Sequence, residues 1–349
     1  MSTLLMDGFE LGTSTSEFNT LSGLTMAGAG LSTVSLGAST MGSGRSLTLN
    51  ASTAVSPVSL SASIAAATLN AATRICVGFR AKLNSAYNAP QSYGRAGFGA
   101  SNDSNLYGPY VVRNAANSLQ CFITTGTNSS TSGTPFSFPD YNAHYLTFVL
   151  TQVSGTTYNQ QFFIDRTLMM SNQVVYTWQS DNLFMLDSPY TAGTAGLNRR
   201  AFSEIDDLYV SINEGPLGDL VIYRTPAASD AQAQWTRYGG AASDAAAVDR
   251  ISLANTTGIQ SNTSGVADLY AIADPSSVLV RRRIYATKTD VYGTGDGTVT
   301  TTVTAKVGST AVNSTPAALN VFGGVASTGW DKTLANQNMA NLQFGVSRS

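Results

Sequence analysis

The sequence predicts an all-β protein, an antiparallel β-sandwich or jelly roll with a smaller β-rich C-terminal region. Short segments rich in Val, Ile, Phe, Tyr and Thr recur along the 349 residues, and clusters of Gly, Asn, Ser and Asp separate them. Several of these segments alternate apolar with polar residues, as half-buried strands do. Because many short strands follow one another with turns between them, a sandwich is favoured over alternating β and α units.

The strongest strand pattern is HYLTFVLTQV, residues 144–153. Leu146, Phe148 and Leu150 fall on one side of an extended chain, whereas threonines and a valine fall on the other. Further strands of the first part are predicted at residues 45–52, 74–83, 94–101, 106–114, 119–125 and 158–170.

A boundary is predicted near residue 214, where the succession of strand patterns gives way to a turn, a further strand and a loop-rich stretch of small residues. Residues 1–213 then form the jelly-roll domain and residues 214–349 a β-rich assembly region, with packing as one unit as the alternative. Within the second part, residues 277–291 and 299–309 are predicted to pair as a hairpin, because Asp-Gly dipeptides favour tight β-turns.

The composition excludes several classes of partner. Charged residues make up 11% of the chain, less than half of the usual quarter, which suits packing against other proteins. The net charge of −2 creates no field that would gather nucleic acid or anionic lipid. No apolar stretch approaches the roughly 20 residues of a membrane helix. Cys76 and Cys121 are predicted as buried thiols rather than as a bridge. Neither nucleic-acid binding nor membrane insertion is therefore expected.

The segment SEIDDLYV, residues 203–210, concentrates three acids: Glu204, Asp206 and Asp207. Retaining jelly-roll glucanases carry Glu-x-Asp-x-x-Glu on a strand, with the two glutamate carboxyls about 5–5.5 Å apart. Here Tyr209 stands where the second glutamate belongs. On a regular strand Asp207 would face away from the other two acids, so it cannot replace that glutamate. We therefore expect no catalytic residue here and predict that the chain is not an enzyme.

Other catalytic and metal patterns are weaker still. The single histidine, His144, has no nucleophile motif beside it, and one histidine does not make a His-based zinc site. No loop shows the dense alternating acids of a calcium site. We predict no metal and no cofactor, and a structural role for the acidic strand.

Three segments in order resemble the concanavalin A-like, laminin-G-like jelly roll. They are MDGFE at residues 6–10, FFIDRTL at residues 162–168 and SEIDDLYV, and together the resemblance covers residues 5–213. It implies that Asp206 or Asp207 holds neighbouring loop backbone by accepting N–H hydrogen bonds.

The later part resembles a family of tailed-bacteriophage virion proteins. The residues that carry this resemblance are Leu217, Gly218, Asp219, Pro226, Trp235, Thr236, Asn341, Leu342, Gln343, Phe344 and Gly345. It implies a structural virion component of the tail, a fibre or the head decoration, made and assembled in the host bacterial cytoplasm. The implied partners are further copies of the chain, with a trimer as one option, and neighbouring capsid or tail proteins.

The alternative function is a carbohydrate-binding adhesin on the virion surface, with a host surface glycan as the ligand. Aromatic side chains on the concave sheet or at loop tips would then stack on sugars, although strand aromatics more often belong to a core. The candidate residues are Tyr87, Tyr93, Tyr107, Tyr110 and Trp178.

Overall fold

A computed structural model describes most of the chain. The described residues are 4–22, 24–27, 32, 34–41, 44–49, 59–83, 92–93, 96–99, 106–115, 118–124, 130–132, 136–137, 142–175, 181–186, 202–218, 220–222, 224–248, 257–272, 286–295, 297–298, 300–319, 324–328, 330–335 and 341–348. For residues 4, 59, 63, 66 and 83, and for the described residues within 92–137 and 181–186, the backbone alone is described. The chain divides into two compact units, Met1–Tyr223 and Arg224–Ser349.

The first unit is built almost entirely from strands. Its elements are β1 (Leu4–Asp7), α1 (Thr15–Leu21), β2 (Thr25–Ala27), β3 (Val34–Ala38), β4 (Arg45–Leu49), β5 (Ser59–Ala65), α2 (Ala66–Asn70), β6 (Arg74–Leu83), β7 (Ser92–Tyr93), β8 (Ala96–Gly99), β9 (Leu106–Ala115), β10 (Ser118–Thr124), β11 (Ser130–Ser132), β12 (Phe136–Ser137), β13 (Ala143–Ser154), β14 (Thr157–Ile164), β15 (Thr167–Val175), β16 (Asp181–Leu186) and β17 (Phe202–Ile212).

These strands form two antiparallel sheets. The eight-stranded sheet has the order β15-β14-β13-β6-β17-β4-β3, and β1 also pairs with β17. The nine-stranded sheet has the order β11-β10-β9-β8-β16-β5-β2, with β12 on β10 and β7 on β9. The first unit is thus an all-β sandwich of the jelly-roll kind, which confirms the predicted fold class.

One hydrophobic core lies between the sheets. Its members from the eight-stranded sheet include Leu47, Ile75, Val77, Phe79, Leu146, Phe148, Phe162, Ile205 and Val210, and those from the other sheet include Met26, Leu60 and Ala62. The alternation of β14 explains the packing, because every second residue from Tyr158 to Ile164 is buried. We call the opposite side of the eight-stranded sheet, turned away from this core, its outer face.

The hairpin between β14 and β15 turns through Asp165 and Arg166. Both residues have positive φ, 47° and 72°, as a tight two-residue hairpin turn requires. Neither position is a glycine, so the turn keeps this conformation without one. Asp165 Oδ1 accepts a hydrogen bond from the Tyr145 N–H, which helps to hold it.

The second unit is smaller and also β-rich. Its elements are β18 (Ala227–Gln232), β19 (Thr236–Tyr238), α3 (Asp244–Val248), β20 (Gly258–Gln260), β21 (Ala267–Ile272), β22 (Asp290–Gly293), β23 (Thr300–Val307), β24 (Thr310–Asn313), β25 (Ala317–Ala318), β26 (Gly324–Ser327) and β27 (Leu342–Arg348). A six-stranded sheet has the order β18-β21-β27-β23-β24, with β25 on β23, and two strand pairs, β19–β20 and β22–β26, accompany it.

The hairpin predicted in this unit is wrong where it can be checked. Strand β22 pairs with β26, and β23 pairs with β24, β25 and β27, so the two predicted partners belong to different sheets. The hairpin that forms instead turns at Gly308, where φ is 59°. Local turn chemistry identified a turn near residue 297, but the partners of the flanking strands are set by distant segments.

Candidate functional site on the acidic strand

The three acids of SEIDDLYV lie on β17, where the strand is irregular. Asp206 pairs with Arg80 and Tyr209 pairs with Gly78, so β17 uses one more residue than β6 over this stretch. Asp207 lies in this bulge with a φ of 52°. A bulge of this kind interrupts the strict alternation of side chains. The expectation that Asp207 faces away from Asp206 is therefore wrong, because contacts of Asp207 lie on the same outer face.

Asp207 fastens the chain that follows the strand. Its Oδ1 accepts the N–H of Ile222 at 2.7 Å, and its Oδ2 lies 3.3 Å from Nε of Arg80. The carboxylate is buried and the guanidinium about three-quarters buried. Hydrogen bonds to charged groups contribute about 1.5–3 kcal/mol each, so this carboxylate is a strong local anchor.

Asp206 lies beside Asp207, and the pKa of its carboxyl group is raised. Burial, the neighbouring Asp207 carboxylate and the more distant Glu10 raise the pKa of Asp206 to about 8, against the attraction of Arg80. Its Oδ1 accepts the N–H of Asp207 at 2.8 Å. The raised pKa favours the protonated form of the Asp206 side chain at neutral pH.

Glu204 is held by hydroxyl groups. Burial alone would raise its pKa, but hydrogen bonds from Ser46, Thr40 and Ser39 outweigh burial and hold the pKa below its usual value. The Thr40 N–H donates at 2.8 Å and the Ser46 hydroxyl at 2.5 Å, and the Thr40 and Ser39 hydroxyls also donate. This carboxylate therefore ties β17 to β4 and to the turn before it.

Tyr209, in the position of the absent glutamate, lies flat across the outer face. Its ring stacks on Tyr145 with centroids 6.4 Å apart and planes inclined by 17°. A side chain on Gly78 would come within 2.2 Å of the Tyr209 ring, so glycine is required there. The Tyr145 hydroxyl donates to the backbone carbonyl of Asp207 at 3.0 Å, and the Tyr209 hydroxyl accepts the N–H of Leu217 at 3.0 Å.

These contacts bring the residues after β17 back across the sheet. We call residues 213–222 the crossing segment. It is fastened through Leu217 and Ile222 as described, and the Glu214 carbonyl accepts from the Cys76 thiol at 3.3 Å. Burial raises the pKa of Cys76 to about 12, so the thiol stays protonated. The crossing segment thus covers the acidic strand.

The far half of the same sheet is open. Strand β14 is half-buried on its outer face, and Val153, Leu168 and Val175 at the ends of β13 and β15 are 54%, 48% and 60% exposed. They are the three most exposed large apolar side chains among the described residues. Neither β14 nor β15 contains a charged residue. This half of the outer face is therefore neutral and partly apolar.

Several residues singled out in the sequence cannot be placed as side chains. Tyr87 and Trp178 lie outside the described residues, and so does Asp219. For Tyr93 on β7 and for Tyr107, Tyr110 and Cys121 on β9 and β10, the backbone alone is described. Tyr110 pairs with Phe122, Tyr107 with Phe98 and Tyr93 with Val112.

His144 contacts the turn of a neighbouring hairpin. Its Nδ1 lies against Oδ2 of Asp165, in the turn between β14 and β15. In the described part of the chain, no group of three or more His, Cys, Asp or Glu side chains could hold a metal ion. Nor does that part contain a helix long and apolar enough to cross a membrane.

The second unit holds a carboxylate cluster that the sequence did not indicate. Asp268 is fully buried, and its Oδ1 accepts the N–H groups of Gln234 and Trp235, the latter at 2.8 Å. Asp230 accepts the N–H of Asp244 at the start of α3. Burial first, then Asp268 and Asp230, raise the pKa of Asp244. The acids are far apart in sequence, so only the fold reveals that they meet.

Known proteins match this chain in fold but not in sequence family. No protein-family model and no curated protein matches it. Similar solved structures include a carbohydrate esterase from the Shiga toxin-encoding bacteriophage phi24B, with 16% identity over 60% of this chain and 100% of that chain, and a TM-score of 0.40. An alginate lyase shows 13% identity over 59% and 96% of the two chains, with a TM-score of 0.40. A chain of botulinum neurotoxin type C, a protein reported to interact with two ganglioside molecules, shows 14% identity over 57% and 46%, with a TM-score of 0.36. At these identities the likeness is one of fold.

The prediction that the chain is not an enzyme, which rested on the missing second glutamate, is wrong. Solved structures with a similar fold include an esterase and a lyase, both of which act on carbohydrates. The missing second glutamate concerns a single mechanism, that of a retaining glycosidase. Its absence therefore does not exclude carbohydrate-active chemistry of another kind.

Proposed function

We propose that this chain is a structural component of a bacteriophage particle, and that it acts through protein contacts made by the open half of its eight-stranded sheet. The observation that carries the proposal is the outer face of β14 and β15. The seventeen residues of these two strands, which contribute to both faces, include no charged side chain, although about a quarter of residues in ordinary domains are charged.

The exposed apolar side chains support a protein partner. Isolated exposed hydrophobic residues are common, but Val153, Leu168 and Val175 all lie on β13 and β15, the two strands that flank β14 in one sheet. Interfaces are depleted of charge at their centre and surround apolar groups with polar ones. Hydroxyl and amide groups lie between the apolar residues here, as such an interface requires.

The motifs that resemble virion proteins have structural positions. Leu217 belongs to the crossing segment, where its N–H donates to Tyr209. In the second unit the Trp235 N–H donates to the buried Asp268. The segment from Leu342 to Gly345 lies on β27, in the middle of the six-stranded sheet. These placements support a role for the motifs in building the two units.

Purified particles of the source phage test this proposal. We expect mass spectrometry to find the chain in the particle, and antibody labelling to locate it on the tail, a fibre or the head. A variant with Val175→Lys should be incorporated at a level at least about tenfold lower, because a buried unpaired charge opposes assembly. Tyr292→Lys, at another exposed apolar position, is the matched control. Absence of the chain from particles would overturn the proposal.

A second candidate function is glycan binding on the same surface. Asn159 pairs with Gln173 and Gln161 pairs with Ser171, which places four hydrogen-bonding side chains together on the outer face. Amide side chains both donate and accept, as sugar hydroxyls require. We expect Gln161→Ala with Gln173→Ala to abolish any signal on a glycan array. A signal that survives this change, or the absence of any signal from the unchanged protein, would exclude this surface as a sugar site.

A further inference from the structure

The eight-stranded sheet ends on an unprotected strand. Strand β15 pairs with β14 on one side, and none of the described strands pairs with its other side. Its nine residues, TLMMSNQVV, contain neither a charge nor a proline. Natural proteins usually protect long edges with such residues, because free N–H and C=O groups recruit other strands.

The other edge of the same sheet, strand β3, is protected. Strand β3 has five residues, and the Arg45 guanidinium donates to the carbonyl of Leu36 in the middle of that strand. A charged group therefore occupies the edge. On β15 only an irregularity in the pairing near Phe162 and Phe163 disturbs the strand, and it leaves the residues from Met170 to Val175 regular.

Unpartnered amides lie at the centre of this edge. Asn172 is the register partner of Gln160 on β14, and Gln160 is fully buried. The Oδ1 of Asn172 and both polar side-chain atoms of Gln160 are buried without a hydrogen-bond partner. Such groups cost free energy unless they are satisfied, so their position beside an open edge indicates that something adds to it.

We propose that two copies of this chain join along β15, antiparallel and with the two-fold axis at Asn172, so that their eight-stranded sheets become continuous. The inference rests on the proposed function and names a partner for the free edge of the open half. A second copy fits because an isologous contact needs a strand that is complementary to itself. An uncharged strand opposes itself without like-charge repulsion.

The axis at Asn172 defines every pairing. Ser171 lies opposite Gln173 of the second copy, a hydroxyl against an amide, and Met170 lies opposite Val174, apolar against apolar. The two Asn172 side chains lie opposite each other. With Gln160 on either side they form a row of four amides across the dimer. The Asn172 Oδ1, which lacks a partner in one chain, then lies beside the side-chain amide of the second copy's Asn172 and can accept from it.

Charge placement tests both the dimer and its register. The unchanged protein should sediment at twice the 36.4 kDa of the chain at micromolar concentration. Ser171→Lys with Gln173→Lys places lysines opposite each other twice, and should raise the dimer Kd about tenfold or more. Ser171→Glu with Gln173→Lys places unlike charges opposite each other, and should restore the Kd to within about threefold of the original.

A matched control uses the second unit. Strand β24 is also the last strand of its sheet, and Ala311 and Asn313 are exposed on it, so Ala311→Lys with Asn313→Lys adds the same charge to another edge. This control should leave the Kd unchanged. Circular dichroism of each variant establishes that it is folded before sedimentation is measured.

The outcomes separate the inference from the proposed function. A monomer at all concentrations, a trimer, a dimer that tolerates the two lysines at Ser171 and Gln173, or a failure of the Glu–Lys pair to restore association overturns β15 pairing, even where the chain is present in particles. A dimer with the expected charge response supports the pairing, even where the chain is absent from particles and the proposed function fails.

Discussion

The two halves of the eight-stranded sheet differ in what covers them. In the half formed by β6, β13 and β17, both faces are buried, because the crossing segment lies over the outer face. In the half formed by β14 and β15, the alternation of exposed and buried residues persists and the outer face is open. One continuous sheet thus carries an intramolecular interface and a free surface side by side.

The chemistry of each half follows from its partner. The covered half concentrates charged and hydroxyl groups, and its buried carboxylates have fixed partners within the chain, as Asp207 has in Arg80 and the Ile222 N–H. The open half is neutral, so a partner can cover it without leaving a charge unpaired. Charged residues thus lie where the chain itself covers the sheet, and they are absent from β14 and β15, where the outer face is open.

The largest effect is expected where the covered half is most tightly packed. Tyr209→Ala removes a fully buried ring that stacks on Tyr145 and supports the crossing segment. We expect the free energy of unfolding to fall by about 3–5 kcal/mol, as for other buried aromatic residues. Urea denaturation followed by circular dichroism measures this. Tyr292→Ala in the second unit is the control, and an equal effect of both changes would refute the distinction.

A smaller loss is expected when Asp207 becomes neutral. Asp207→Asn keeps the size of the side chain but removes the charged partner of Arg80, and we expect the free energy of unfolding to fall by about 2–3 kcal/mol. In the double variant with Arg80→Met, the loss of unfolding free energy should be smaller than the sum of the losses in the two single variants, because both changes remove the same ion pair. Additive losses in urea denaturation would show that the pair is not coupled.

The dependence of stability on pH distinguishes Asp206 from Glu204, which lies two residues earlier on the same strand. The folded pKa of Asp206, about 8, lies above the ordinary value of 3.8, so the folded state binds the extra proton. The stability from this group is fully present below about pH 4 and is lost as the pH rises through 8, on the order of 1 kcal/mol per pH unit.

The variant Asp206→Asn should remove that slope. An amide resembles the protonated acid and does not titrate, so the variant should match the unchanged protein near pH 4 and exceed its stability at pH 9. Glu204 works in the opposite direction, because its lowered pKa adds stability that is lost only as the pH falls below the usual range. Urea denaturation at pH 5, 7 and 9 tests this, and an unchanged slope in the variant would show that another group controls it.

The sequence predicted the architecture better than the contacts. Alternation on β14 is a local property, so the sandwich could be predicted from it. The bulge at Asp207 could not, because it depends on a pairing between β17 and β6, more than a hundred residues apart. Asp207 accepts the N–H of Ile222, fifteen residues further along the chain, whereas the carboxylate cluster around Asp268 joins segments that no local pattern connects.

The smallest effect on stability is expected on the open half, and it is the most informative about function. Leu168→Ser and Val175→Ser replace exposed side chains, so each should change the unfolding free energy of the dilute protein by less than about 0.5 kcal/mol. If the open half is an interface, the same variants should weaken association, as sedimentation at rising concentration would show. A change that destabilises the dilute monomer by more than about 1 kcal/mol would instead show that these side chains are already packed within the chain. Effects on association without effects on folding are what separates a surface kept for a partner from one that merely tolerates exposure.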